Sequence, residues 1–136
     1  MRRLPTTLWA MALGFVIVNA VSAWGDGFEN VILSSTKDAK ESEATFTTDT
    51  PKIFVQAHMT DAVKSGSTVV VSWIAVDTGG AAPPNYKIDE VSLHVILANV
   101  IDSALSKPNN GWPVGDYNVV FSVDGAVRET IDFKVK

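Results

Sequence analysis

From residue 51 onward apolar and polar side chains alternate with the period of two that a half-buried β-strand requires. After Pro51, the side chains of Ile53, Val55, Ala57 and Met59 share one face and Lys52, Gln56 and His58 the other, with Phe54 pointing outward in that register. Residues 64–67 (KSGS) read as a turn. Residues 68–76 (TVVVSWIAV) form a β-branched, aromatic run with Val69, Val71, Trp73 and Ala75 on one face. The Gly- and Pro-rich residues 79–85 (GGAAPPN) predict a loop that separates two halves of a sandwich, since they cannot sit inside a sheet. Further on, Val91, Leu93, Val95 and Leu97 alternate with Ser92, His94, Ile96 and Ala98. The alternation favours a strand there, while the helix formers among residues 90–105 leave a helix open. Residues 106–111 (SKPNNG) are a turn cluster. Upstream lie a short apolar piece, residues 28–33, and a polar stretch of mixed charge, residues 34–43 (SSTKDAKESE), with the composition of a mobile linker.

The last two runs predict a hairpin. The large inward set is Tyr117, Val119, Phe121 and Val123 on the outgoing strand and Val127, Ile131, Phe133 and Val135 on the return, all odd-numbered. Directly opposed residues share a face, so paired numbers must sum to an even value if both sets face the core. A two-residue Asp124-Gly125 turn would pair Val123 with Ala126 and Phe121 with Arg128, burying Arg128. The parity therefore predicts a three-residue loop, Val123-Asp124-Gly125, with a bulge beside Gly125. That loop pairs Phe121 with Val127 and Tyr117 with Ile131.

The N-terminus changes the picture of where the domain works. Arg2 and Arg3 give a positive start, residues 8–18 (LWAMALGFVIV) an unbroken apolar run, and Val21-Ser22-Ala23 small residues before a cut. This is the three-part layout of a secretory signal peptide. The run falls well short of the roughly 20 residues a membrane span needs, and Asn19 closes it. Cleavage is expected after Ala23, which leaves a soluble protein, secreted or periplasmic. The chain divides into a signal peptide (1–23), an N-terminal strand with a polar linker (24–43) and an all-β sandwich of about seven strands (44–136). Of the 11 Lys and Arg in 136 residues, Arg2 and Arg3 leave with the leader, so 9 face 15 Asp and Glu and the net charge is −6. No basic cluster remains to neutralise the phosphates of a nucleic acid or to hold a membrane surface. With no cysteine there is no disulfide staple and no thiolate zinc site.

Trp73 sits mid-strand early in the domain, and Gly115-Asp116-Tyr117 opens a late strand. This resembles the core Trp and the tyrosine corner of immunoglobulin-like and fibronectin III-like sandwiches. More narrowly, residues 45–55 (TFTTDTPKIFV), 66–73 (GSTVVVSW) and 111–117 (GWPVGDY), with the closing hairpin, resemble a recurrent uncharacterised domain of exported bacterial proteins. The resemblance covers most of residues 45–136, fits residues 85–105 least well, and implies the immunoglobulin-like fold without an activity.

Candidate chemistry is sparse. His58 and His94 lie in no nucleophile or zinc motif, and both read as strand histidines. Asp49, Asp61, Asp77, Asp89, Asp102, Asp116 and Asp124 fall near turns, where aspartate bonds backbone N–H groups, and no DxDxDG calcium loop is present. Gly79-Gly80 is followed by prolines and opens no helix that would hold phosphate. No catalytic residue, metal or cofactor is expected. If Trp73 faces the core, Val70, Ser72, Ile74 and Val76 face away from it, as does Val120. In the immunoglobulin-like layout that the resemblance implies, these strands share a sheet, so Val70, Ile74, Val76 and Val120 would form one outer apolar patch. Its function would be docking, onto an envelope or extracellular protein or a second copy of the chain. The plainer alternatives are strand propensity alone, or cover by another segment. Trp112, between Gly111 and Pro113, is the second candidate. It would either stack on a glycan in a carbohydrate-binding or adhesion module, or fold down as a lid over the core, which the sandwich resemblance favours.

Overall fold

The computed structural model describes residues 27–97 and 99–136, so the expected signal peptide and its cleavage site lie outside the described residues. Among the described residues eight strands run in the order β1 (Phe28–Ser34), β2 (Thr45–Phe46), β3 (Lys52–Met59), β4 (Thr68–Asp77), β5 (Tyr86–His94), β6 (Val100–Ser106), β7 (Gly115–Val123) and β8 (Ala126–Val135). One sheet has the order β1-β3-β6 and the other β2-β8-β7-β4-β5. All pairs are antiparallel except β2, which lies parallel to β8. The alternation after Pro51 and in residues 68–76 is realised as strands whose odd-numbered residues are buried.

The core lies between the sheets. Trp73 is fully buried, and its indole N–H crosses from β4 to donate to Ser103 Oγ on β6 at 3.0 Å. Phe28 packs edge-on to Phe121 at 4.9 Å, and Tyr117 stacks on Phe133 at 5.2 Å. The Tyr117 hydroxyl donates to the Pro113 carbonyl four residues upstream at 2.5 Å, the tyrosine corner that the resemblance implied. Burial pushes its phenol pKa above the ordinary value.

Several expectations are corrected. Residues 28–34 are no separate N-terminal strand: β1 pairs with β3, and Phe28, Val31 and Leu33 belong to the core of the sandwich. Residues 34–43 are a pinned loop and not a free linker. Glu43 Oε2 accepts from Ser34 Oγ, Ser35 N–H and Ser35 Oγ, and the Glu43 N–H donates to the Leu33 carbonyl at 2.6 Å. Residues 90–105 contribute to two strands in different sheets, and the helix left open there does not form. The GGAAPPN loop joins β4 to its own neighbour β5 and separates nothing. The chain changes sheets at residues 35–44, 47–51, 60–67, 95–99 and 107–114.

The hairpin solves the parity problem differently. Asp124 and Gly125 both have positive φ, 50° and 90°, and form a two-residue turn that pairs Val123 with Ala126. The extra residue enters two pairs later: Ser122 opposes Val127 and Phe121 opposes Glu129, so Arg128 is the bulge. From there the sums are even, and Tyr117 pairs with Phe133, not Ile131. Val127 is consequently outside the core, 64% exposed, and Glu129 takes the inward position. Placing the bulge in the strand lets the turn keep the twist that matches its flanking strands.

Candidate functional site

The outer face of the five-stranded sheet is built by the even-numbered residues of β4 and β7, a direct consequence of burying Trp73 and Tyr117 on the inner face. Val70, Ile74, Val76 and Val120 all lie on it and all are half-buried. Val120 is directly opposite Ser72, which places it diagonal to both Val70 and Ile74. These three form one cluster around the Ser72 hydroxyl. Ser72 Oγ donates to Glu90 Oε2 on β5 at 3.2 Å, and Lys87 Nζ donates to the same oxygen at 3.0 Å. The Lys87 hydrogen bond is the main reason the Glu90 carboxyl sits below its ordinary pKa. On the other flank Val127, displaced outward by the bulge, opposes Ser122.

Val76 stands apart from that cluster. It belongs to the lower part of the same face, where a groove of about 670 Å³ is lined by Val76, Asn118, Asp132, Asp116 and Lys134. Lys134 Nζ and Asp116 Oδ1 form an ion pair at 2.5 Å, and this hydrogen bond raises the lysine pKa. Both side chains are more than half exposed, so the pair adds little stability. The two layers of the sandwich account for every strand among the described residues, and none packs over this outer face.

Trp112 is not on any surface. It is 2% exposed, its Nε1–H donates to the Thr50 carbonyl at 2.7 Å, and its backbone N–H donates to Thr48 O at 2.9 Å. Its ring meets Tyr117 edge-on at 6.2 Å. The stacking platform for a glycan is thereby corrected: an indole sealed into the lower end of the core offers no face to a sugar. His58 is half-buried on the outer face of the three-stranded sheet, and His94 Nδ1 lies 3.4 Å from Thr68 Oγ1 at an exposed strand end. Among the described residues no three His, Asp or Glu side chains come together as a metal site.

Two features escaped the sequence pattern. Ile96 and Leu97, in the connection from β5 to β6, are 64% and 94% exposed. At the opposite end of the same two strands a cleft of about 180 Å³ opens between the sheets over Trp112 and Tyr117. The only sequence signal for the first was the adjacency of two aliphatics, which an alternating strand cannot bury together.

A crystal structure of an immunoglobulin-like protein from Pseudomonas aeruginosa is similar to this chain with a TM-score of 0.50 at 11% sequence identity, over 78% of this chain and 91% of that one. An alkylpurine DNA glycosylase from Pseudomonas fluorescens, bound to DNA containing an abasic-site analogue, gives a TM-score of 0.44 at 14% identity, over 87% of this chain and 33% of that one. That likeness carries no argument about this protein. No family model and no curated protein matches the chain. The first likeness, with the all-β topology, shows an immunoglobulin-like sandwich.

Proposed function

We propose that this protein is a non-enzymatic docking module that works outside the cytoplasm, and that its contact surface is the outer face of the five-stranded sheet. The observation that carries the proposal is the cluster of Val70, Ile74 and Val120 across β4 and β7, aliphatic side chains on a sheet face that no strand among the described residues covers. Contiguous apolar side chains on an outer face mark contact sites more often than single ones do. The partner that fits is an envelope or extracellular protein with a matching apolar strip. The polar Ser72, Glu90 and Lys87 alongside would set register more than affinity.

The location rests on the leader pattern in residues 1–23 and on the resemblance to exported bacterial domains. Secretion or residence in a periplasm follows, with the mature chain starting at Trp24. N-terminal sequencing of protein recovered from an exporting host tests this: a first residue of Trp24 supports it, and a retained Met1 overturns it.

The docking surface is tested by crosslinking pull-down from the native envelope, with the domain run beside an Ile74→Lys/Val120→Lys variant after both are shown to fold. A partner captured by the wild type and lost by the variant supports the surface. Equal capture by both, or none by either, removes it.

A further inference from the structure

We propose that the groove between the 34–43 loop and the outer face of the three-stranded sheet binds a free α-amino acid, with its ammonium on Asp38 and its carboxylate on Lys40. This groove lies on the other sheet from the docking face and takes a different kind of ligand. Its floor follows from strand register. The even-numbered residues of β3 that face away from the core include Gln56 and His58, and Ile32 on β1 lies directly opposite Gln56. The register shift between Glu29 and Ile32 makes a bulge in β1, with Asn30 in it at φ of 51°. The wall is held by backbone bonds. Ser42 Oγ accepts the Leu33 N–H at 3.0 Å and the Glu43 N–H donates to the Leu33 carbonyl at 2.6 Å, so the loop returns alongside β1. Asp38 has φ of 58°, a conformation that aspartate and asparagine tolerate better than most residues. Together the loop and the floor enclose about 570 Å³. Small-molecule sites measure roughly 300–1,000 Å³.

The polar side chains that line this groove take no part in holding the fold. Among the described residues Asn30, Asp38, Lys40, Gln56 and His58 make no side-chain hydrogen bond and no ion pair. His58 Nδ1 is closed off from solvent and meets no partner, so Nε2 is the nitrogen left for a ligand. Burying a polar atom without a hydrogen bond destabilises the domain on its own. A few convergent polar groups over a partly apolar floor are the arrangement by which small-molecule sites fix a ligand's orientation.

Charge selects the ligand class. A simple anion would meet the Asp38 carboxylate and a simple cation the Lys40 ammonium, while a metal ion would find one carboxylate and one imidazole beside an ammonium. Among the described lining residues no Phe, Tyr or Trp offers the face on which a sugar ring stacks. A molecule carrying both charges answers both side chains. Cα atoms two residues apart are separated by at most about 7 Å, so one small zwitterion can reach Asp38 and Lys40 together. Charge-assisted hydrogen bonds at its two ends orient it, and its side chain then lies over Ile32 and Ala39, which suits an aliphatic one. The amides of Asn30 and Gln56 and the His58 Nε2 supply the remaining donors and acceptors.

The test is a backbone-amide NMR titration of the protein recovered from an exporting host, with L-leucine raised to about 20 mM so that even a millimolar Kd is measured. The expected result is saturable shifts centred on residues 30–32, 38–42 and 56–58. N-acetyl-L-leucine lacks the ammonium and L-leucinamide the carboxylate, and each should bind at least about tenfold more weakly. Asp38→Asn keeps a residue that accepts positive φ and Lys40→Gln keeps a long polar stem; both positions are exposed, so both variants should fold, and each should weaken L-leucine at least about tenfold. The Ile74→Lys/Val120→Lys variant should bind L-leucine as the wild type does, which keeps this site distinct from the docking face. No saturable shift with L-leucine, equal shifts from either blocked form, charge variants that bind like the wild type, or shifts in the same residues from glucose alone would each overturn the inference.

Discussion

Asp124 is tied to Thr68 from both sides: its Oδ1 accepts the Thr68 N–H at 2.9 Å, and its own N–H donates to the Thr68 carbonyl at 2.9 Å. The turn between β7 and β8 is therefore clipped to the first residue of β4, three strands of one sheet joined at one end. The clip holds Asp124 at positive φ and so selects the two-residue turn over the three-residue loop that parity alone favoured. Asp124→Ala is expected to cost about 1 kcal/mol, and a thermal melt that falls by about 4 °C or more would agree.

Two glycines separate conformational cost from steric cost. Gly125 has φ of 90° and open space where a Cβ would sit, so Gly125→Ala should lose about 1 kcal/mol through backbone strain alone. At Gly115 a Cβ would stand 2.2 Å from the Asp77 carbonyl oxygen and 2.8 Å from Thr78 Cα, both backbone atoms that cannot swing away. Gly115→Ala should therefore cost several-fold more, about 3 kcal/mol or above, and denaturant melts of the two variants should keep that order.

Trp112 behaves as a core residue. Trp112→Phe removes the bond to the Thr50 carbonyl and leaves that buried oxygen without its donor, at about 1–3 kcal/mol. Urea unfolding should show the loss without any change in glycan retention on an affinity column. A variant of unchanged stability that lost glycan binding would return Trp112 to the surface role.

Glu43 makes stability depend on pH in a stated direction. The Ser35 backbone N–H is the largest cause of its lowered pKa, the Ser34 and Ser35 hydroxyls add to it, and slight burial opposes them. A carboxyl whose folded pKa is depressed stabilises the fold above its unfolded pKa, and that contribution is lost as pH falls through the folded value. Melting temperatures followed downward from pH 6 through the ordinary value of 4.5 should fall more steeply for the wild type than for Glu43→Gln. Parallel slopes would show that the serine cage contributes nothing.

The sequence by itself determined the strand faces. Period-two alternation placed Trp73, Tyr117 and Phe121 inward and Val70, Ile74 and Val120 outward, because a strand has only two faces and water is excluded from one. It also pointed to the tyrosine corner and to the immunoglobulin-like layout. Only the tertiary structure decided where parity is restored, because a bulge at Arg128 and a bulge at Gly125 satisfy the same alternation and the choice depends on a distant partner, Thr68. It likewise decided that residues 90–105 split between two sheets, that Glu43 closes the loop before β2, and that Trp112 is enclosed. The enclosure of Trp112 depends on Thr48 and Thr50, more than sixty residues upstream, and the Glu43 closure on serines eight and nine residues away; no alternation pattern encodes which of these groups will be waiting.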